Sequence, residues 1–241
     1  MMKGVLLCGG DGTRLRPLTL AVNKHLIKVG NMPMVEYPLR AMVKSGIKDI
    51  HVVTGGENYP GVVKYLGSGR NWGVNITYSI QDKAGGIAEA LGMAETFVGG
   101  NNCLVILGDN LFDADLAPFV KDFDEEYGEP EQAMLFAKAS ETPERFGVLA
   151  YENGKLVDVI EKPKDPPSHL ILVGIYIYTP DIFKKIKFLR RSDRGELEIT
   201  DANRLYIQKG LAQVVTLGGY WTDCGTFETL KQAERYVDGE E

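Results

Sequence analysis

Strand-like apolar runs alternate with helix-spaced apolar positions four times in the first half of this chain, and that order restricts its fold more than any other feature. Val5, Leu6 and Leu7 form a short apolar run, Asp49–Thr54 reads as a second strand and Val74–Ile80 as a third. Cys103–Leu107 is continuously apolar, as a strand covered on both faces must be. Between these runs, Val35, Leu39, Met42 and Val43 recur at helical spacing behind Pro33 and ahead of Gly46. Val62, Val63 and Leu66 mark a short second helix, and Ile87, Leu91, Ala94 and Val98 a third. Parallel neighbours need crossover connections, which helices supply. The order therefore predicts an α/β chain with a doubly wound, mostly parallel mixed sheet covered by helices on both faces.

The second half changes character. Phe119, Val120, Phe123 and Tyr127 mark one more helix, after which strands Gln132–Ala139, Phe146–Tyr151, Lys155–Ile160 and Leu170–Tyr178 crowd together. Asn153-Gly154 is a hairpin turn signal between two of them. A helix over Thr200–Gln208, a strand over Gln213–Leu217 and a closing helix over Phe227–Val237 complete the pattern. No proline- or serine-rich linker interrupts it, so residues 1–241 read as one domain with a small β-rich extension.

The run Val5–Leu7 breaks into Cys8-Gly-Gly-Asp-Gly-Thr-Arg-Leu-Arg-Pro17, followed by Lys24. Glycines there let backbone N–H groups approach a ligand, and successive N–H groups form an anion-binding concavity. Arg14, Arg16 and Lys24 add positive charge at the same place, which suits a polyphosphate. A Walker A loop is excluded because no lysine follows the glycines at its spacing. The dinucleotide fingerprint is weak because Leu15 stands at its third glycine and Pro17 would fall inside its helix.

Charge and composition narrow the partners. A net charge of −6 offers no basic excess for a nucleic-acid backbone, so DNA and RNA are not expected. No apolar run reaches the ~20 residues that span a bilayer, and the run after Lys3 is too short for a secretory signal. Cys8, Cys103 and Cys224 are odd in number and far apart, which fits a reducing, cytoplasmic setting. His25, His51 and His169 are equally scattered, so neither a zinc site nor a histidine-based triad is indicated.

Two aspartates are candidate metal ligands. Gly108-Asp109-Asn110 follows the strand ending at Leu107, where open α/β sheets place their ligand crevice. Asp223 lies in Trp221-Thr-Asp-Cys-Gly-Thr226, again read as past a strand and before a helix. Such carboxylates suit Mg²⁺, which keeps phosphate oxygens and waters as its other ligands. A helix N-cap accounts for either aspartate equally well on its own. Gln81, after the strand ending at Ile80, can both donate to and accept from a pyrimidine edge, although a polar surface residue is the commoner outcome. Glu161-Lys162-Pro163 presents an acid and a base at a strand end, and Phe146-Gly147-Val148 places a glycine where a ring could lie close or where the strand bulges.

Gly10-Asp-Gly-Thr-Arg-Leu-Arg-Pro-Leu-Thr19 with Lys24 resembles the signature Gly-x-Gly-Thr-Arg-x-x-Pro-x-Thr-x4-Lys of sugar-1-phosphate nucleotidyltransferases, and among them the glucose-1-phosphate thymidylyltransferase group. The resemblance implies a Rossmann-like fold, Mg²⁺ held by Asp109 and Asp223, and a nucleotide gripped by Gly9, Gly10, Gly12, Thr13, Gln81, Gly86 and Asp109, with Ala88 kept beside Gly86. It also implies a sugar phosphate met by Gly147, Glu161, Lys162, Gly174, Tyr176 and Arg194, with Arg14, Lys24 and Lys162 as the catalytic cations. On this reading residues 1–130 form the nucleotide-binding half, and 131–241 the sugar-phosphate-binding half with the second metal aspartate.

The reaction so implied joins a nucleoside triphosphate, dTTP by resemblance, to a sugar 1-phosphate, glucose 1-phosphate by resemblance, and releases pyrophosphate. Two positions depart from the pattern: His25 stands where these proteins usually carry glutamine, and Lys28 where they carry proline. Longer members continue through helices tied to their subunit contacts and regulatory site, whereas this sequence ends at Glu241, so a homo-oligomer is expected without those tetramer contacts. Competing readings are uridylyl or cytidylyl transfer on the same fold, a non-catalytic nucleotide-sugar binding protein, and a glycosyltransferase using Asp113-Ala-Asp115 as its metal motif.

Overall fold

A computed structural model of the chain describes residues 2–56, 58–126 and 131–240; Tyr127, read above as part of a helix, lies outside them. In chain order the first elements are β1 (Lys3–Cys8), β2 (Lys28–Val29), β3 (Met32–Pro33), α1 (Glu36–Lys44), β4 (Asp49–Gly55), α2 (Tyr59–Leu66), β5 (Asn75–Gln81), α3 (Ile87–Gly92), α4 (Glu95–Val98), β6 (Cys103–Leu107), β7 (Asn110–Phe112) and α5 (Ala117–Glu126). There follow β8 (Ala133–Ala139), β9 (Gly147–Glu152), β10 (Lys155–Glu161), β11 (Leu170–Tyr178), α6 (Ile182–Phe188), α7 (Ile199–Gln208), β12 (Ala212–Thr216), β13 (Trp221–Asp223) and α8 (Phe227–Asp238). The chain is the mixed α/β, mostly parallel fold that its periodicity predicts. Among the described residues no helix is long and apolar enough to cross a membrane.

Backbone packing divides the chain into two units, each built from separated segments. The first comprises Lys3–Ala84, Ile106–Phe119 and Gly219–Glu241. In it β1 pairs parallel with β4, and β4 with β5, in the register Val5↔His51↔Thr77. Five of the six β1 residues are buried, each apolar one contributing about 1.5–3 kcal/mol, so Leu6→Ala would cost about 2–5 kcal/mol. A small core of Leu15, Val29, Met34, Leu111, Cys224, Leu230 and Ala233 ties the glycine loop to α8.

The second unit comprises Gly85–Val105 and Val120–Gly218, with Met1–Met2. Here β11 pairs antiparallel with β8 and β9, β9 with β10, and β12 runs parallel to β8. The β9–β10 turn is the expected one: Asn153 and Gly154 both have positive φ, at 50° and 76°. The units do not follow the division at residue 130. Residues 219–241 pack with the N-terminal strands because β13 pairs with β7 and α8 shares the core around Leu15, while Gly86 belongs with the sugar-phosphate candidates.

Other departures are local. Pro33 lies in β3, and the helix it was to open begins at Glu36. The face Ile87, Leu91, Ala94 and Val98 is shared by two short helices, α3 and α4. The three-residue strands β7 and β13, the two-residue strands β2 and β3, and α6 carried no periodic signal long enough to read.

Candidate active site

The first unit supplies a buried ion pair at the end of two strands. Only glycine fits at position 108, because a Cβ there would lie 2.6 Å from Cys8 Sγ and 2.8 Å from His25 Cδ2. With its side chain absent, the Gly108 N–H donates to Leu7 O at 2.8 Å and Asp109 is delivered beside the glycine loop. There Lys24 Nζ donates to Asp109 Oδ2 at 2.7 Å, with both side chains about 15% exposed or less. Burial would raise the Asp109 carboxyl, but Lys24 beside it outweighs that and the group falls to about 2. It is a carboxylate throughout the physiological range.

The second aspartate meets the same place by strand pairing. β13 runs antiparallel to β7 with Asp223 opposite Asn110, Cys224 N donates to Asp109 O at 2.8 Å, and Trp221 Nε1 donates to Asn110 Oδ1 at 2.6 Å. A Cβ on Gly225 would lie 2.9 Å from Asp223 Oδ2 and 3.3 Å from Arg14 Nη2, so the Asp223 carboxylate and the Arg14 guanidinium border one spot. Lys24 thus meets Asp109, Arg14 borders Asp223, and the backbone bond from Cys224 to Asp109 joins the two pairs. Asp223 closes a strand and Asp109 leads into β7, so neither precedes a helix directly, and the N-cap of α8 is Thr226. Carboxylate oxygens are hard donors, so the chemistry of Asp109 and Asp223 fits a magnesium ion, which keeps phosphate oxygens and water among its ligands.

Of the nucleotide candidates, Gly10 and Gln81 line a cleft of 470 Å³, within the range of small-ligand pockets, whereas Gly9, Gly12, Thr13, Gly86 and Asp109 are not part of its lining. Gly10, Lys24 and Gln81 border it, together with Asp11, Arg16, Gly55, Gly56 and Tyr59. Gln81 is the last residue of β5 rather than the first beyond it, and it is buried. A Cβ on Gly9 would lie 2.9 Å from Gln81 Oε1, so the amide oxygen faces the loop backbone. Gly12 and Thr13 start the single turn after the loop; Thr19 Oγ1 donates to Gly12 O at 2.8 Å and Lys24 Cβ lies against Gly12.

His25 is a buried support. It is 1% exposed and Asn23 Oδ1 accepts from its backbone N–H at 3.0 Å and meets Nδ1 at 2.9 Å. Burial, with Lys24 beside it, lowers the imidazole to about 3, so the ring is neutral. Sequence reasoning missed Asn23, whose position two residues before His25 is its only signal. Lys28 is exposed in β2. Burial pushes the Cys8 and Cys224 thiols up, so both flank this site as neutral groups.

The second unit gathers a more open cluster. Glu161 Oε2 accepts from Thr200 Oγ1 at 2.5 Å, and Glu161 Oε1 lies 3.1 Å from Arg194 Nη2 and 3.3 Å from Lys162 Nζ. Arg194 also reaches Glu198 at 2.8 Å. Lys162 has φ 43°, and its N–H donates to Phe146 O at 2.9 Å. Gly147 pairs in register with Glu161, so it is not at a bulge, and a Cβ there would lie 3.0 Å from Thr200 Oγ1.

Gly174, with φ 73°, sits where the β11–β8 register shifts. Tyr176 is buried two residues on, with its hydroxyl pushed up by burial and by nearby Glu161. Gly86 packs so closely on the Leu197 backbone that a side chain would collide with it, and Leu197 N donates to Gly85 O at 2.8 Å. The Arg194 loop and the Gly85-Gly86 turn therefore hold each other. Thr200 and Glu198 were not foreseen; both lie in the segment that carries Arg194.

Asp113 and Asp115 have other partners. Asp113 accepts from Tyr220 N and Tyr236 OH, and Asp115 accepts from Ala117 N and pairs with Lys44.

The family model described as nucleotidyl transferase matches residues 3–239. A Neisseria meningitidis protein named glucose-1-phosphate thymidylyltransferase is 39% identical over 98% of this chain and 82% of its own, and one of that name from Mycolicibacterium smegmatis is 37% identical over the same shares. A Bacillus anthracis structure solved with sucrose, carrying that name as a provisional assignment, superposes with a TM-score of 0.92 at 44% identity, over 98% of this chain and 95% of that one. A UDP-glucose pyrophosphorylase complexed with UDP-glucose shares the fold, with a TM-score of 0.86 at 24% identity over the whole of both chains. With that family model spanning almost the whole sequence and relatives at 37–39% identity over 98% of it, the chain belongs to the nucleotidyl transferase family.

Proposed function

We propose that this nucleotidyltransferase joins dTTP to glucose 1-phosphate, giving a nucleotide sugar and pyrophosphate. The observation that carries the choice of substrates is the shared name of relatives at 35–39% identity over 98% of the chain. In this reading a phosphate oxygen of the sugar 1-phosphate attacks the α-phosphorus in line. A phosphate monoester has a second pKa of about 6, so the nucleophile is ionised at neutral pH and needs no general base.

The obstacle is the approach of two polyanions, and the residues answer it by positioning and charge. Gly9, Gly10, Gly12 and Thr13 cradle the triphosphate, and Arg14 and Lys24 neutralise it. Gln81, with Gly86 supporting the adjoining turn, selects the base edge. Lys162 and Arg194 hold the sugar phosphate, while Glu161, Gly147, Gly174 and Tyr176 receive the sugar ring. Asp109 and Asp223 would hold Mg²⁺, which supplies further neutralisation of phosphate charge when bound.

The test is pyrophosphate release with Mg²⁺, glucose 1-phosphate and each nucleoside triphosphate in turn. Turnover with dTTP is expected. Turnover confined to UTP or CTP would overturn the choice of base, and tight binding without release would overturn catalysis.

A further inference from the structure

The sequence motif left over from the site is Asp113, and its surroundings give it a task. β7 and β13 are three residues each, and so short a two-stranded pair has little stability of its own. A slip of one residue in such a pair would turn Asp223 to the opposite face. Something must pin the register. At the entry to β13, the Tyr220 N–H donates to Asp113 Oδ1 at 2.9 Å and Asp113 N donates to Tyr220 O at 3.3 Å, closing a two-way bond one step before the pairing of Trp221 with Phe112.

The other carboxylate oxygen, Asp113 Oδ2, accepts from Tyr236 OH on α8 at 2.7 Å. Tyr236 in turn lies flat on Tyr220, with ring centroids 3.8 Å apart and planes 4° from parallel. The turn before Tyr220 is shaped around the same carboxylate: Gly219 has φ 67°, and a Cβ there would run into Asp113. At the exit, Thr226 caps α8 through a reciprocal bond with Thr229, and α8 is anchored in the core around Leu15. Asp113 thus joins β7, the start of β13 and the far turn of α8.

We propose that Asp113 is a positioning residue: it fixes the register of β13 on β7 and thereby the place of the Asp223 carboxylate. The consequence for Mg²⁺ rests on the reading of Asp223 as a metal ligand, whereas the register itself does not. Groups that orient a ligand from behind typically change metal affinity by about 10–100-fold when removed.

The test compares Asp113→Ala, Asp113→Asn and Tyr236→Phe in the full chain by two measurements. One is amide hydrogen exchange at Thr222 and Cys224, with the β4 amides as internal reference. The other is binding of Mn²⁺ alone, followed by the paramagnetic signal of the free ion. In Asp113→Ala these two amides should exchange faster with β4 unchanged, and Mn²⁺ should bind about 10-fold more weakly. Asp113→Asn, which keeps an acceptor for Tyr220 N, should recover both, and Tyr236→Phe should fall between.

Wild-type exchange at β13 in Asp113→Ala overturns the proposal, whatever happens to Mn²⁺. Should Asp113→Ala loosen β4 as well, Tyr236→Phe decides: faster exchange confined to β13 supports the proposal, and none overturns it. Faster exchange with unchanged Mn²⁺ affinity upholds the register role and removes Asp223 from the metal site, so the two readings fail separately.

Discussion

The two candidate constellations solve the problem of holding charge in opposite ways. In the first unit Lys24 meets the buried Asp109 at 2.7 Å, over a neutral histidine, and Asn110 Nδ2 donates to the other oxygen of the same carboxylate at 3.3 Å. In the second, Glu161 is shared by Thr200, Arg194 and Lys162, while Arg194 reaches three acids from a side chain 40% exposed. A buried pair is costly to break and keeps one geometry, whereas exposed pairs contribute little and exchange partners readily. On the function proposed above, the first cluster would be a fixed end for the triphosphate and the second a remodelled end for the incoming sugar phosphate.

The largest expected effect tests the fixed end. Asp109→Asn and Asp223→Asn should each cost about 2–4 kcal/mol of barrier, read as lost pyrophosphate release; a near-normal rate in either variant removes that residue from the site. Next comes the adaptable end. Glu161→Gln should raise KM for the sugar 1-phosphate about tenfold, since a bond to a charged group is worth about 1.5–3 kcal/mol, and should leave KM for the nucleotide in place. Equal loss for both substrates would erase the distinction between the two regions.

A third prediction concerns the support beneath the buried pair. The folded imidazole of His25 titrates near 3 against about 6.5 when unfolded, so the unfolded chain binds the extra proton. The stabilisation is complete above about pH 6.5 and drains away as pH falls towards 3, by up to about 1.4 kcal/mol per pH unit. His25→Gln should flatten that part of the curve of melting temperature against pH, leaving the share of His51, which burial also lowers. An unchanged slope would mean that His25 is not held neutral by the fold. The smallest effect belongs to Lys28, exposed in the same unit: Lys28→Ala should change stability by less than about 0.5 kcal/mol and leave turnover unaltered.

Much of this architecture is legible before any coordinates. Cys103–Leu107 appears with the predicted bounds because a strand buried on both faces needs an unbroken apolar run, and Asn153-Gly154 forms its turn because both residues accept positive φ. The glycine loop and Lys24 are equally plain, since backbone access to phosphate leaves a compact signature. Local periodicity and local backbone sterics therefore set the alternating elements and the chemistry of the first loop.

The tertiary structure alone decided that Lys24 reaches Asp109 across 85 residues, that Asp223 stands opposite Asn110, and that residues 219–241 join the N-terminal unit. Strands of three residues hold too few positions to show a period, and the side chains that pin them, such as Asp113 on Tyr220 and Tyr236, act between segments whose meeting depends on how the core closes.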